Sequence, residues 1–285
     1  MSETFRPGEP VILVDRKERR YFVVLAEGGK TNLRGHVLMH DDLIGQAAGL
    51  RVRSSREELF VVVRPNLADL VLEMPRSATI IYPKDLGTIL VWGDLRPGLS
   101  VVEAGIGTGA LAIAVLRAIG HEGRLVSYEV RPDVPNLARK NIRLAFDGID
   151  PLNHDVRIQS IYEGIEERDV DRVLLDVPEP WHVVPHAADA MRIGGVFMAY
   201  SPTIIQVKEN VDALHRSRAF GVIETSETMM RPWHVTRNSI RPELRMVGHT
   251  GFLTFARRVL GELPPQTEGE QGLVKDDQGA DEDGT

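Results

Sequence analysis

Two different patterns of apolar residues divide the chain near residue 65. Between residues 9 and 63, short runs rich in Val, Ile, Leu, Phe and Tyr are separated by turn signals, which is typical of β-strands. These runs are Pro10–Val14, Tyr21–Leu25 and Leu59–Val63. From about residue 66, apolar runs of strand length alternate with stretches of helical length, as in a parallel α/β sheet. The pattern predicts a small β-rich N-terminal domain over residues 1–65 and an α/β domain over residues 66–260.

The predicted α/β domain contains five strands and five helices that alternate along the chain. The strands are expected at Ser100–Ala104, Arg124–Val130, Val156–Ser160, Arg172–Val177 and Gly195–Ser201. The helices are expected near Leu86–Leu95, Gly109–Ile119, Val134–Phe146, Pro185–Met191 and Thr203–Arg216. Two late apolar runs, Gly221–Thr228 and Thr250–Arg257, have no strong helical pattern between them. An antiparallel pair of strands at the end of the sheet fits these two runs.

The composition is that of a globular protein in water. Of the 285 residues, 42% are hydrophobic and 26% are charged, which is ordinary for such chains. We expect a cytoplasmic protein, because no apolar run reaches the roughly 18 residues of a membrane-spanning helix and no secretory signal is visible. The chain has no cysteine, which excludes disulfides, cysteine-ligated metals and a thiolate nucleophile.

The net charge of −7 belongs to the C-terminal tail. Residues 261–285 hold eight acidic residues and one lysine, so the remaining body has 33 basic and 33 acidic residues. The tail is polar, rich in glycine and poor in large apolar groups, and we expect it to be disordered. A body of zero net charge does not by itself require nucleic acid as a partner.

A glycine-rich loop follows the first strand of the α/β domain. Gly105 and Gly107 allow a sharp turn and a close approach of the backbone to a ligand, while Gly109 suits the entry to a helix. The next strand ends at Glu129, 24 residues after Gly105. A carboxylate at this place can accept both hydroxyl groups of a ribose. Loop and acid together predict a nucleotide-like cofactor.

Two classes of cofactor share this geometry. The spacing of Gly105, Gly107 and Ala110 also satisfies the dinucleotide pattern of nicotinamide dehydrogenases. Glu103, at the end of the first strand, argues against a dinucleotide, because a carboxylate repels phosphates. It favours S-adenosylmethionine (SAM), which carries an ammonium and a sulfonium and no phosphate.

A third candidate site follows the fourth strand. Asp176 ends that strand and is followed by two prolines that stiffen the chain, in the sequence Asp176-Val177-Pro178-Glu179-Pro180-Trp181. In open α/β sheets, ligands bind beyond the carboxyl ends of the strands. We therefore expect Asp176 to lie in the same crevice as Gly107 and Glu129, although a helix-capping role is the alternative.

Two other motifs have simpler explanations. Residues 27–31 read Glu-Gly-Gly-Lys-Thr, like the end of a phosphate-binding P-loop, but Val24 stands where that motif needs glycine. A hairpin turn is the favoured interpretation. The pairs His36/His40 and His182/His186 have helical spacing but no HExxH glutamate, so we predict hydrogen-bonded or surface histidines and no metal.

Five motifs occur in series along the chain. They are Tyr82-Pro83-Lys84-Asp85, the loop from Val102 to Leu111, Ser127-Tyr128-Glu129, the stretch from Leu175 to Trp181, and Val247-Gly248-His249-Thr250-Gly251-Phe252-Leu253. Each motif alone is modest, whereas the series is quite specific and resembles one family, the tRNA (adenine(58)-N(1))-methyltransferases. The resemblance extends from about residue 5 to residue 258, and only the tail lies outside it.

The resemblance implies a fold, a cofactor and a substrate. The fold is the α/β, Rossmann-like class I methyltransferase fold, with a seven-stranded sheet whose last strands form an antiparallel hairpin. SAM is implied as methyl donor, tRNA as acceptor and a homotetramer as the assembly. Glu129 is implied to bind the ribose hydroxyls, Asp176 to lie beside the transferred methyl, and Tyr82 to lie near the cofactor and the target base. The methionine and ribose side of SAM is assigned to Gly107, Thr108, Gly109 and Ala110.

The chain departs from the family pattern at two positions. Ile161 stands where related methyltransferases often carry an acid that contacts the adenine, and Glu163 is a candidate to replace that acid. Ile106 lies in the glycine loop, where smaller or polar residues are usual. Neither change removes a group that methyl transfer needs.

Several interpretations stay open. Trp181 is either a stacking partner for a base or a core aromatic. The stretch 231–245 contains four arginines and either contacts phosphates or lies at a subunit interface. The alternatives to a tRNA methyltransferase are a SAM-dependent enzyme for a small molecule or protein, a tRNA-binding paralogue without activity, and the dehydrogenase.

Overall fold

The N-terminal part of the chain forms two small antiparallel sheets. The protein is described here by a computed structural model, which covers residues 4–76 and 79–261. The strands are β1 (Pro10–Val14), β2 (Arg20–Val24), β3 (Lys30–Leu33), β4 (His36–Met39), β5 (Arg51–Arg53) and β6 (Leu59–Val63). The larger sheet has the order β2-β1-β6-β5, and β3 pairs with β4. Alternate residues of β1 and β6, such as Val11, Leu13, Phe60 and Val62, pack in one buried cluster.

The turn at residues 27–30 is not a hairpin turn, so that prediction was wrong. The strands on its two sides, β2 and β3, belong to different sheets, since β3 pairs with β4. The buried His40 holds the turn: its Nδ1 accepts a bond from the N–H of Ala26 at 3.0 Å, and its Nε2 lies 2.7 Å from Oγ1 of Thr31. A tertiary contact that no local pattern reveals therefore sets the path of the chain.

A seven-stranded sheet forms the centre of the second part. Its strands are β7 (Ser100–Ala104), β8 (Arg124–Glu129), β9 (His154–Ile158), β10 (Val170–Leu175), β11 (Met191–Ser201), β12 (Phe220–Ser226) and β15 (Phe252–Arg258). Their order is β12-β15-β11-β10-β7-β8-β9. The pairs from β9 to β11 are parallel, whereas β15 is antiparallel to both β11 and β12. The predicted α/β sheet of the class I methyltransferase type, with an antiparallel pair at its end, is confirmed.

Helices cover both faces of this sheet. They are α1 (Leu67–Glu73), α2 (Pro83–Trp92), α3 (Ala110–Ile119), α4 (Val134–Ala145), α5 (Val184–Ala190) and α6 (Ile204–Ser217). Because the side chains of a strand alternate between faces, Val101 packs in the core with α2, α3 and α4, while Val102 packs in the core with α5 and α6. The buried strands are apolar on both sides for this reason.

The sequence pattern missed two elements of the second part. Helix α1 has seven residues, and its start is fixed by Asn66 and Asp69, whose side chains and backbone amides bond reciprocally. The excursion between β12 and β15 contains a hairpin of β13 (Trp233–Thr236) and β14 (Ser239–Pro242). Arginines and prolines interrupt the apolar pattern there. The tail expected to be disordered lies, except for Gly261, outside the described residues. Among the residues that the structure describes, no helix is long and apolar enough to cross a membrane.

Candidate active site

The carboxyl ends of four parallel strands surround one cavity. It has a volume of about 250 Å³ and is lined by residues that end or directly follow β7, β8, β9 and β10. These are residues 104–105, 129–131, 159–162 and 176–178, together with Tyr128. The structure thus brings together Glu129 and Asp176, which the sequence analysis placed in one crevice with Gly107, but the glycine that lines this cavity is Gly105.

The backbone of Gly105 lies directly against the backbone of Asp176. It has a φ of +85°, and a Cβ atom at this position would overlap the carbonyl oxygen of Asp176. Its N–H donates to the carbonyl of Tyr128 at 3.0 Å, and the N–H of Asp176 donates to the carbonyl of Ala104 at 2.9 Å. Only glycine combines this φ with this approach, so the loop after β7 can lie directly on the end of β10.

The remaining glycine-loop residues form the turn into α3. Gly109 has a φ of +87° and precedes the first residue of the helix, Ala110. Thr108 is buried, and its carbonyl accepts a bond from Nδ2 of Asn141 in α4 at 2.9 Å. The wall of the cavity includes Gly105 but not Gly107, Thr108, Gly109 or Ala110. Their assignment to the cofactor stays a prediction.

Glu129 is a buried carboxylate at the cavity wall. It is 6% exposed, and its Oε1 accepts a bond from the backbone N–H of Arg131 at 3.0 Å. The guanidinium of Arg131 lies 3.4 Å from the same oxygen. Oε1 is therefore held by the next turn of the chain, which fixes the side chain at the cavity wall.

Glu103 lies beneath the cavity rather than in its wall. The side chain is fully buried, and its Oε2 accepts a bond from Ser127 Oγ at 2.6 Å, while Oε1 finds no partner of good geometry among the described residues. The pKa of Glu103 is raised to about 8, mainly by burial and also by the charges of Asp176 and Glu129, against the opposing effect of the bond from Ser127. Glu103 is thus mostly protonated at neutral pH. A neutral carboxyl group repels no phosphate, so Glu103 disfavours a dinucleotide only when a nearby cation keeps it ionised.

Asp176 is a carboxyl group with an unusual affinity for its proton. It is partly exposed at the cavity wall, and burial raises its pKa from 3.8 to about 6. Its carboxyl group makes no hydrogen bond to another side chain or backbone group within residues 4–76 and 79–261, and its backbone is fixed by the bond to Ala104. A carboxylate with free lone pairs and a raised pKa can accept a hydrogen bond from a ligand or take up its proton.

Two tyrosines lie near Asp176, although neither lines the cavity. Tyr82 is the residue before α2, and Tyr200, near the end of β11, is 6% exposed. The pKa of Tyr200 is raised to about 12 by burial and by the neighbouring Asp85, Asp176 and Tyr82, against the opposing effect of a hydrogen bond with Thr250. The sequence analysis missed Tyr200, although the rule that ligands bind beyond the carboxyl ends of strands applies to β11 as well.

Two other predicted residues lie away from this cavity. Glu163 is exposed and lines a separate cavity with His186 and Asp189. The position of the expected acid, Ile161, is buried and does line the main cavity. Trp181 is half-buried against the core around α5 and α6 and packs on His182, with ring centres 5.7 Å apart. Within residues 4–76 and 79–261, no cluster of three or more His, Asp or Glu could hold a metal ion.

The strand order and the glycine loop define the class of protein, a class I methyltransferase. A family model described as tRNA methyltransferase complex GCD14 subunit matches residues 60–242, and one described as TrmI-like N-terminal matches residues 4–52. The chain belongs to this GCD14/TrmI family of tRNA methyltransferases.

Relatives and a solved structure cover nearly the whole chain. A tRNA (adenine(58)-N(1))-methyltransferase TrmI from Thermus thermophilus is 37% identical over 88% of this chain and 97% of its own length. A tRNA (adenine(57)-N(1)/adenine(58)-N(1))-methyltransferase TrmI from Methanocaldococcus jannaschii is 33% identical over 90% of this chain and 95% of its own length. A crystal structure from Thermotoga maritima, named a SAM-dependent O-methyltransferase, superposes with a TM-score of 0.85, 30% identity and coverage of 92% and 97%.

Replacing Gly105 by alanine is expected to destabilise the protein by about 2–4 kcal/mol, because the new Cβ adds an overlap with a carbonyl oxygen to the strain of a positive φ. The matched control is Gly107→Ala. Gly107 has a φ of +49°, but its Cβ would meet no atom closer than 4.0 Å, so we expect a loss of about 1–2 kcal/mol. Urea unfolding measures both. Equal stability of the two variants would contradict the close contact between Gly105 and Asp176.

Proposed function

We propose that the protein transfers a methyl group from SAM to N1 of adenine 58 in the T-loop of tRNA. The observation that carries this proposal is the cavity in which Gly105, Glu129 and Asp176 meet at the carboxyl ends of neighbouring strands. The names of the relatives from T. thermophilus and M. jannaschii support adenine N1 of tRNA as the acceptor.

The residues around the cavity fit SAM. Because Gly105 has no side chain, an extended ligand can lie directly along the backbone at this point. Glu129 would accept the ribose hydroxyls. Ile161, together with Val130, would offer apolar contact to the adenine in place of the missing acid. Glu103, with its unpartnered oxygen, would be ionised by a cationic group above it. SAM, when bound, supplies the methyl group as an electrophile.

Asp176 would act on the acceptor base. Adenine N1 has a lone pair and needs no strong base before it attacks, but its methylation leaves the base positively charged. A carboxylate that accepts a bond from the exocyclic amine makes N1 richer in electrons and stabilises that charge. The other contribution is alignment of the reacting atoms. Because N1 lies on the pairing edge, the nucleotide must be turned out of its stack, with Tyr82 as a stacking partner.

A different acceptor is the main alternative. The T. maritima protein is named an O-methyltransferase, and a hydroxyl acceptor would need a general base. Asp176, with a pKa of about 6, could take that proton. Nucleoside mass spectrometry of unmodified tRNA incubated with protein and SAM separates the two cases. We expect 1-methyladenosine, and we expect it to disappear when adenine 58 of the tRNA is replaced by guanine. Methylation of hydroxyl groups alone, or no transfer to tRNA, would refute the proposal.

We also propose a homotetramer that acts in the cytoplasm. The hairpin β13–β14 and the residues next to it expose large apolar side chains, with Trp233 at 57% and Ile240 at 72% in the hairpin and Met229 at 70% and Leu244 at 86% beside it. A two-stranded hairpin is marginally stable alone, and exposed apolar patches of this kind mark interaction surfaces. A subunit contact is therefore favoured over a solvated loop. The arginines of the same stretch remain available to phosphates of the tRNA.

Replacing Glu129 by alanine is expected to weaken SAM binding by about 1–3 kcal/mol, because two ribose hydroxyls lose a charged acceptor. Calorimetry with SAM, its demethylated product and NADH measures this. Glu163→Ala is the matched control: the side chain lies outside the main cavity, so its affinity should stay within about twofold. Tighter binding of NADH than of SAM would overturn the cofactor assignment. Equal losses in the two variants would return Glu163 to the cofactor site.

Replacing Asp176 by alanine is expected to lower single-turnover methylation by about a hundredfold or more, with little change in SAM affinity. Asp176→Asn should be nearly as poor, because it offers a donor where an acceptor is needed. The wild-type rate should fall as the pH drops through about 6, where the carboxylate takes up its proton, and should level off above that value. The variants should lack this inflection. A near wild-type rate for Asp176→Ala would show that positioning alone accounts for methyl transfer.

Light scattering is expected to give a tetramer for the full chain, and the same assembly after deletion of residues 265–285. The tail is acidic and has few apolar residues to bury, so its loss should leave activity intact and RNA affinity equal or somewhat higher. A double change of Trp233 and Leu244 to glutamate should reduce the assembly. A monomeric full chain would disprove the tetramer, and loss of folding on truncation would disprove a dispensable tail.

A further inference from the structure

The segment 227–251 leaves the sheet after β12, forms the hairpin β13–β14 and returns to start β15. Both of its ends contact helix α2, which lies beside the candidate active site. The contacts come from Thr228 at the first end and Thr250 at the second. The contacts in α2 come from Lys84 and Asp85, which belong to the motif Tyr82-Pro83-Lys84-Asp85 that the proposed chemistry leaves largely unused.

Lys84 is a buried cation with three acceptors. Its side chain is 8% exposed, and its Nζ donates to Asp85 Oδ1 at 2.8 Å, to the carbonyl of Thr228 at 2.6 Å and to Thr250 Oγ1 at 2.6 Å. An ammonium group has three donors, so each of them has a partner. A buried ammonium with all donors satisfied is held in one place, because any movement leaves a charged group without a partner.

Asp85 completes the network. It is fully buried, and its Oδ2 accepts a bond from Thr250 Oγ1 at 2.7 Å. One hydroxyl, that of Thr250, therefore connects the two charged side chains of α2. A further pair supports the first end of the segment, since Oγ1 of Thr88 in α2 lies 2.8 Å from Oγ1 of Thr228. We call the network of Lys84, Asp85, Thr228 and Thr250 the clasp.

The clasp lies between the two tyrosines of the acceptor side. Tyr82 directly precedes α2 and so stands two residues before Lys84. Gly251 directly follows Thr250, and a Cβ atom there would overlap the ring of Tyr200. A shift at Thr250 is therefore passed to Tyr200 through a backbone that packs on its ring. Tyr200 is close enough to both Asp176 and Tyr82 for its charge to interact with each of them.

We propose that the clasp is a positioning device: through it, the segment 227–251 fixes Tyr82 and Tyr200 beside Asp176, so that its loss slows methyl transfer without weakening cofactor binding. Lys84, Asp85 and Thr250 are positioning residues, since none of them lines the cavity. The inference rests on the proposed function for its kinetic consequence. The cofactor residues lie on the opposite side, at the ends of β7, β8 and β9, and do not depend on the clasp.

The test compares Thr250→Val with Thr250→Ser. Valine keeps the shape and removes the hydroxyl, which leaves Asp85 Oδ2 and one donor of Lys84 without a partner, whereas serine keeps both bonds. We expect Thr250→Val to lower the single-turnover rate at saturating tRNA and SAM by about ten- to a hundredfold, as a small misplacement of reacting groups does. The SAM dissociation constant should stay within about twofold. Thr250→Ser should restore the rate to near the wild-type value.

The control is Thr225→Val, which makes the same chemical change outside the clasp. Oγ1 of Thr225 pairs with that of Thr254 across β12 and β15 at 3.0 Å, and its loss should leave the rate unchanged. An equal loss in Thr225→Val and Thr250→Val, or a parallel loss of SAM affinity, would overturn the proposal in favour of general destabilisation. A wild-type rate for Thr250→Val would overturn it directly.

Hydrogen exchange tests the clasp without any acceptor. Amides of residues 227–251 should exchange faster in Thr250→Val than in Thr250→Ser, because the anchored ends of the segment are released. Unchanged exchange would refute the clasp even if tRNA proved to be the wrong substrate. Conversely, a wild-type protein that forms no 1-methyladenosine would refute the proposed function and leave the exchange result to decide the clasp.

Discussion

The contact between the backbones of Gly105 and Asp176 is the constraint on which the candidate site depends. It lies where the strand order reverses: β8 and β9 extend the sheet to one side of β7, while β10 and β11 extend it to the other. The first connection leaves β7 towards one side and the later strands return on the other, which opens a crevice at this point. Because Gly105 has no Cβ, the loop after β7 can lie on the end of β10. The carboxyl group of Asp176 and the glycine loop therefore share one wall.

The electrostatics of the site follow from this convergence of strand ends. Three acidic side chains, Glu103, Glu129 and Asp176, lie in or beneath one cavity, and the pKa of Glu103 is raised by the other two as well as by its burial. Ionising all of them in a small buried volume is unfavourable unless a cation is present. A ligand with positive groups and no phosphate relieves this repulsion, whereas a dinucleotide increases it. The protonation state of the site, rather than any single charge, thus favours a cationic cofactor.

The convergence of three strand ends on one cavity could be predicted from the sequence, whereas the contacts around Tyr200 and Thr250 could not. Gly105, Glu129 and Asp176 each follow a strand whose apolar pattern is clear, so the rule of carboxyl ends is enough to bring them together. Tyr200 also ends a strand but has no distinctive neighbours in sequence. Thr250 meets Lys84 across 166 residues, and no local propensity or spacing encodes such a pair. The prediction of a hairpin turn at residues 27–30 was wrong for the same reason, because His40, which is distant from this turn along the chain, holds it in place.

The donor side and the acceptor side of the candidate site contribute differently to the choice of substrate. The ends of β7, β8 and β9, to which we assign the methyl donor, line one half of the cavity, and a protein named an O-methyltransferase superposes on this chain with a TM-score of 0.85. The choice of acceptor must then arise in the other half, where α2, the end of β11 and the segment 227–251 meet. That segment contacts α2 through buried charges at its ends and exposes apolar and basic side chains at its tip. A second subunit or an RNA that covers the tip would therefore be linked to Tyr82 and Tyr200 through only a few covalent bonds and hydrogen bonds. The proposed subunit contact and the proposed positioning of the acceptor both involve this one short segment, so the two proposals together imply that assembly and acceptor positioning are coupled.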